Sequence, residues 1–301
     1  METIATKSFG EVLGVLADRY RNLVVLTGDI VISGIGSSDR VINLGFGHAD
    51  MIGCAAGLAI AGKIPVVCAP ASAIAGQDWE QIRNSIALPN LNVKLIGVSG
   101  GLEAAQDGPA RQALEDFALM RAMPNMKVFC PASREELRAM LPQIFEDFGP
   151  SYLRLGALGV DLEQEHVRFE LGKGSLLRGG NDVAVFATGA LVGSAVHASD
   201  RLAEEGINVR VINLSTIQPI DQELILDTAE QVKIVVTAEE HQIQGGLGSA
   251  VAEVLVGAKP KVLHHIGMRQ TFGDSGRIGA LFRKYRFDAE GVYQQIRALV
   301  I

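Results

Sequence analysis

Val93-Lys94-Leu95-Ile96-Gly97-Val98 is a short apolar run, broken at once by Ser99-Gly100-Gly101. A run of this length, bounded by small residues, fits a strand buried on both faces. Similar runs stand at 23–26, 41–44, 65–68 and 126–129, and helical patterns separate most of them. Strands alternating with helices make a parallel sheet whose crossovers cover both faces. The first helical pattern places Phe9, Val12, Leu13 and Leu16 on one face, with Ser8 as its expected cap. Another follows Pro131-Ala132-Ser133, where Ser133 caps the helix and Glu136, three residues on, suits a capping box.

After the run at 152–155 the rhythm lapses over 159–168, a mixed stretch containing Asp161, Glu163, Glu165 and His166. It reads as a linker. A second series follows: strands at 182–187, 209–214 and 234–237, helices at 191–204 and 248–256. The expectation is an α/β chain of two domains, 1–158 and 169–301, joined by 159–168. Each domain is a mostly parallel sheet with helices on both faces. A length of 301 residues suits two such cores.

Composition removes several function classes. The chain is 48% hydrophobic and 20% charged, which argues against disorder. A net charge of −7, with no long basic run, gives no reason to expect nucleic acid or an anionic membrane as partner. The greasiest stretch, 52–75, is interrupted by Lys63 and Pro65, and residues 1–10 have no apolar core of signal-peptide length. Cys54, Cys68 and Cys130 form no CxxC pair and are odd in number, so a reducing cytoplasm is expected.

Ligands of open α/β sheets bind at the carboxyl ends of strands. Four loops there carry unusual residues: Thr27-Gly28-Asp29, Gly45-Phe46-Gly47-His48-Ala49-Asp50, the glycine-rich stretch 99–111, and Glu239-Glu240-His241 ahead of Gly245-Gly246-Leu247-Gly248. Each also has a plain explanation, with Asp29 capping a turn, glycines supplying positive φ and the glutamates forming a solvated ridge. The Gly245–Gly248 segment has the makings of an anion cradle at a helix start, a common and weak signal. The histidines are scattered without metal-ligand spacing, so no metal site is expected on this chain.

Taken together, these segments resemble the C-terminal half of transketolases, especially split transketolases whose halves are separate polypeptides. The stretches that carry the likeness are Glu80-Gln-Ile-Arg-Asn-Ser-Ile-Ala87 with Pro89-Asn-Leu-Asn-Val93, Gln112-Ala-Leu-Glu-Asp116 with Pro124-Asn125-Met126, Tyr152-Leu-Arg-Leu-Gly156, and Thr237-Ala-Glu-Glu-His241 with Gly245-Gly-Leu-Gly-Ser-Ala-Val-Ala-Glu253. They cover essentially the whole chain in order. The resemblance implies a pyrimidine-binding domain for thiamine diphosphate followed by a transketolase C-terminal domain. The family's diphosphate and metal motif, Gly-Asp-Gly followed by Asn, is absent; Gln106-Asp107-Gly108 comes near, but Asn125 follows too soon. Diphosphate and Mg²⁺ then belong to an N-terminal transketolase-like partner subunit, and two copies of each chain make a closed heterotetramer.

Several positions depart from the family. Its glutamate, which hydrogen-bonds the pyrimidine nitrogen, aligns with His48. Its aromatic residues against the pyrimidine align with Pro70, Ala73, Ile74 and Trp79, of which one is aromatic. Two histidines align with Ser99 and Arg111, and a phosphate-clamping arginine aligns with Ala157. Asp107 and Gln112 persist, and Asp29 lies in a loop that the resemblance places near the cofactor. The expected catalytic set is His48, Asp107 and Arg111; Asp29, His48, Pro70, Ala73, Ile74 and Trp79 face the cofactor; Ser99, Asp107 and Arg111 face a small-molecule substrate. Without the arginine clamp, an ordinary pentose phosphate is not the expected substrate.

The leading expectation is a cytoplasmic, two-component transketolase-like transferase moving a two-carbon ketol or acyl unit. The alternative is a non-catalytic or regulatory subunit whose cofactor site has decayed. Acyl transfer from a 2-oxo acid, as in dehydrogenase E1 β-chains, shares cofactor and architecture.

Overall fold

The computed structural model describes residues 4–28, 30, 32, 39–156 and 169–300. Asp29, Ala157 and the expected linker lie outside the described residues. The first half supplies strands β1 (Leu23–Thr27), β2 (Val41–Asn43), β3 (Ile64–Pro70), β4 (Lys94–Val98), β5 (Lys127–Phe129) and β6 (Ser151–Leu155). The second half supplies β7 (Ser175–Arg178), β8 (Val183–Ala187), β9 (Val209–Asn213), β10 (Thr216–Gln218), β11 (Ile234–Gln242) and β12 (Leu263–Met268). They form a seven-stranded sheet ordered β10-β5-β6-β4-β3-β1-β2 and a five-stranded sheet ordered β12-β11-β8-β9-β7. All pairings are parallel except β10 with β5 and β7 with β9. The two mostly parallel sheets expected from the alternating pattern are therefore present.

Helices cover both faces of each sheet. On the first, α1 (Ile4–Arg19) is followed by α2 (His48–Ile60), α3 (Trp79–Ile82), α4 (Asp116–Arg121) and α5 (Arg134–Glu146). Phe9, Leu13 and Leu16 of α1 pack with Leu137, Leu141 and Phe145 of α5 on one face, while Met51, Ile52, Ile82 and Phe117 fill the other. The second domain uses α6 (Leu191–Glu204), α7 (Gln222–Gln231), α8 (Leu247–Ala258), α9 (Ile278–Lys284) and α10 (Ala289–Val300). α6 and α10 lie on one face of its sheet and α7 and α8 on the other. With apolar surface removed from water on both sides, every residue of β1, β4, β6 and β8 is buried, which is why these strands are mainly apolar even where a buried Lys94 or Arg154 interrupts them.

Three local expectations change. Ser8 is not a cap, because α1 already runs from Ile4 and Ser8 is buried within it. Ser133 does cap α5, accepting from Glu136 N at 3.1 Å, but the Glu136 carboxylate reaches back to Ala132 N (2.7 Å) and across to Asn213 Nδ2 (2.7 Å). The cap thus doubles as a tie between α5 and β9. Finally, β11 does not stop at residue 237 but continues through Glu239, Glu240 and His241, all buried. A charged triplet reads as the end of a strand, yet here Glu240 and His241 find partners across the domain boundary, at Leu102 N and Ala118 N, and Glu239 binds the start of α8. β10 crosses that boundary too, adding a strand of the second half to the first sheet.

Candidate active site

The carboxyl ends of β2, β1, β3 and β4 lie side by side, and three of the sequence-predicted loops follow β1, β2 and β4. Gly28 ends β1 where a Cβ would sit 2.1 Å from Gly45 O, so only glycine allows the two loops to touch. Gly45 N donates to Asn43 Oδ1 (2.8 Å), and the chain enters α2 with His48 as its first residue, 6% exposed. Pro70 ends β3. A π-helical turn over Ala73–Gln77 then leads through α3 into a second π turn, Arg83–Ala87, and α2 packs against all three segments. Ala73 and Ile74 are buried; Trp79 is half-buried, its indole N–H donating to Leu119 O at 2.8 Å.

Between them lies Asp78, a residue that the sequence analysis did not single out. It is 2% exposed, and neither carboxylate oxygen has a hydrogen-bond partner. Burial pushes its carboxyl up to about 6, and the charge of His48 opposes that rise, which puts the two side chains within electrostatic reach. The sequence signal was an acid in the middle of an apolar, small-residue segment.

β4 pairs with β3, so Ser99 emerges beside Pro70, with φ of +53°. A 3-10 segment, Gly101–Asp107, follows and ends at Gly108, whose φ is +80° and whose added Cβ would lie 2.6 Å from Ser275 Oγ. Asp107 and Arg111 are exposed on this loop, whereas Gln112 is buried and donates to Asp274 O at 2.9 Å. The two groups of predicted residues therefore share one sheet edge. His48, Pro70, Ala73, Ile74 and Trp79 form its buried part, and Ser99, Asp107 and Arg111 follow the neighbouring strand. Among the described residues no group of three or more His, Cys, Asp or Glu could hold a metal ion.

Behind that edge the long motifs converge. Arg154 of β6, 2% exposed, donates to Glu240 O (2.9 Å) and Ala113 O (2.7 Å). Its Nε lies 3.2 Å from Asp116 Oδ2, an ionic contact that falls short of hydrogen-bond alignment. Tyr152 donates its hydroxyl to the same Asp116 oxygen (2.7 Å), and Arg154 covers the ring of Phe117 at 4.5 Å. Phe117 in turn stacks on His241 at 5.0 Å. His241 Nδ1 donates to Gln242 O (2.6 Å) while Nε2 accepts from Ala118 N (3.3 Å), a pattern that requires a neutral ring. Burial lowers its pKa to about 4, so its 3.7 Å approach to Glu239 is not an ion pair at neutral pH.

The expected anion cradle at Gly245–Gly248 is filled from within: Glu239 accepts from Leu247 N (2.7 Å) and Gly248 N (2.8 Å). Its neighbour Glu240 accepts from Leu102 N (2.6 Å), pinning the loop after β4. Burial raises Glu239 and Glu240 to about 7. It raises Glu103 on that loop to about 8, with Glu240's charge adding to the rise.

These three carboxyls hold protons in the folded chain at pH values where the unfolded chain has lost them. Their contribution to stability is complete below about pH 4.5 and is lost as pH climbs through 7 to 8. Glu103→Gln removes one share of that loss. Melting wild type and variant at pH 5 and pH 8 is expected to show the variant gaining roughly 1 kcal/mol relative to wild type at the higher pH only. An equal gap at both pH values would refute the assignment.

The structure thus has two mostly parallel α/β sheets, loop residues gathered at the strand ends of the first, and a buried ionic seam between the two halves. Comparison with known proteins makes the class definite. Residues 3–157 match the transketolase pyrimidine-binding domain and residues 172–292 the transketolase C-terminal domain. A transketolase C-terminal section from Methanocaldococcus jannaschii is 38% identical over 303 residues, covering 96% of this chain and 94% of that protein. The 6-deoxy-6-sulfo-D-fructose transketolase subunit SqwH of a Clostridium species is 40% identical over 254 residues, covering 84% and 79%. A solved split-gene transketolase, described as an inactive beta4 tetramer, superposes with a TM-score of 0.89 at 38% identity, covering 98% of this chain and 97% of that one. The chain belongs to the transketolase family and corresponds to its pyrimidine-binding and C-terminal domains.

Proposed function

We propose that this chain is the C-terminal subunit of a two-component, thiamine-diphosphate-dependent transketolase-like transferase, moving a two-carbon ketol or acyl unit between small molecules. The observation that carries the reading is near-complete coverage, in both directions, of a split-gene transketolase chain. An N-terminal partner holds the diphosphate and Mg²⁺, because the Gly-Asp-Gly motif is missing here. The exposed Ile42 of the edge strand β2 and Phe46 of the loop that follows it suit the face that meets the partner. A beta4 assembly described as inactive, in the related protein, agrees with a chain that needs its partner to work. The working form is a heterotetramer in the cytoplasm.

The residues fit the pyrimidine half of the coenzyme: α2, which begins at buried His48, packs against the segment that carries small Ala73, flat Trp79 and the unsatisfied carboxyl of Asp78. When bound, thiamine diphosphate supplies the carbon nucleophile. Pro70, Ala73, Ile74 and Trp79 exclude water around its pyrimidine ring, His48 holds a proton at the ring nitrogen, and Asp29 contributes from the β1 loop. Asp107, Arg111 and Ser99 meet the substrate, with Arg111 placing a fixed positive charge suited to a carboxylate, phosphate or developing oxyanion. Purifying the chain with its partner and titrating with thiamine diphosphate and Mg²⁺ is expected to give saturable binding, followed by exchange of the coenzyme's C2 proton above background. Absence of binding to the assembled complex would leave a non-catalytic subunit instead.

A further inference from the structure

We infer that Asp78 is a positioning residue for His48, and that the two together do what a single glutamate does elsewhere in the family. The inference rests on the functional reading above and deepens it. Six acids are fully buried among the described residues: Asp78, Asp116, Glu136, Asp221, Glu239 and Glu240. Five of them accept hydrogen bonds. Asp116 accepts from Tyr152, Glu136 from Ala132 N and Asn213, Asp221 from Leu224 N and Gly174 N, Glu239 from Leu247 N and Gly248 N, and Glu240 from Leu102 N. Asp78 has no such partner at either oxygen.

Its local surroundings do not explain it. Asp78 occupies the residue before α3, where an aspartate ordinarily caps, yet its side chain makes no cap bond and its own N–H is taken by Ala73 O at 3.0 Å. The carboxyl here makes no bond to the helix that follows it. A buried acid without a hydrogen bond is unfavourable unless a charge or a ligand completes it. The start of α2 packs on this turn, and His48 is the one charged group among the described residues that moves the Asp78 carboxyl.

The charge of a carboxylate near an imidazole biases the orientation of the ring. His48 then presents an N–H from one ring nitrogen to the pyrimidine nitrogen, as a carboxylic acid would. A ligand nitrogen placed there would share the proton with that imidazole nitrogen and return it, while Asp78, whose oxygens make no hydrogen bond, stays ionised and acts on the ring through its charge. No other group need gain or lose charge.

The pair can be tested without the coenzyme. In the full chain carrying ¹³C-labelled aspartate carboxyls, the signal lost in Asp78→Asn identifies Asp78; its midpoint, near 6 in the wild type, is expected to move up by roughly half a pH unit or more in His48→Gln. An unmoved midpoint overturns the inference. In the complex with the partner subunit, Asp78→Asn is expected to slow C2 exchange of bound thiamine diphosphate about 10- to 100-fold, with affinity little changed. Asp78→Glu should recover part of the rate, and Asp78→Asn in the His48→Gln background should add no further loss. Multiplicative losses in the double variant would overturn the coupling. If the wild-type complex binds no coenzyme, the functional reading fails, while the carboxyl titration still decides whether the pair exists.

Discussion

Arg154→Leu is expected to lower the stability of the chain by about 3–5 kcal/mol, seen as a large drop in the urea midpoint. The arginine is a cation placed against both Asp116 and Glu240, and the two carboxyls raise its pKa. It also satisfies two backbone carbonyls, Glu240 O and Ala113 O, one from each domain. Leucine fills part of the volume but leaves Asp116 buried beside Tyr152 without the Arg154 charge and removes the guanidinium's bonds to both carbonyls, of which Ala113 O keeps its bond from Gly101 N. The exposed pair Arg19–Glu146, with side chains 59% and 52% accessible, makes the control. Arg19→Leu should cost no more than about 1 kcal/mol, since solvent already screens that pair. Similar costs for the two variants would mean that the seam between the domains is not held by its ionic contacts.

His48→Glu restores the family's usual residue, yet it should not restore the usual behaviour. It brings a second carboxylate within reach of Asp78, in a place where one buried acid is already pushed up to about 6. Two carboxylates in one dry site cannot both ionise cheaply. The single variant is expected to be less stable than wild type by roughly 1–2 kcal/mol at pH 8, where both acids are driven to ionise, and close to wild type at pH 5. Adding Asp78→Asn should return most of that loss and, in the complex with the partner, bring faster C2 exchange than His48→Glu alone. Thermal melts at the two pH values, followed by exchange measurements, decide the matter. A fully stable His48→Glu that exchanges as fast as the double variant would show that Asp78 lies too far away to matter.

Both predictions concern charges that pattern reading treats poorly. The glutamates of β11 look like a solvated ridge when seen as three consecutive polar residues, because a sequence carries no trace of the loop and the helix packed above them. Leu102 N, Ala118 N and the Arg154 guanidinium, all from the other domain, make that strand segment buried rather than exposed. Asp78 escaped notice for the converse reason. It sits at an ordinary capping position, and only the fold shows that the cap is not used. His48, by contrast, was legible, because its place in the motif Asn43-Leu44-Gly45-Phe46-Gly47-His48 marks the strand-to-helix corner directly. The helix at Leu191–Glu204 and the capping residue Ser133 were legible too, since each depends on neighbours a few residues away.

Apolar runs of strand length, spaced by helical periodicity, were enough to establish two mostly parallel sheets, because burial on both faces writes itself into most residues of a strand. The missing Gly-Asp-Gly likewise needs no coordinates. Which acids carry protons, which glycine segment already has its anion, and which carboxyl stands beside His48 were settled by folding alone. Those properties come from desolvation and from partners as far as 138 residues away, as between Leu102 and Glu240, and electrostatic energy depends on distance in space, which the order of residues does not record.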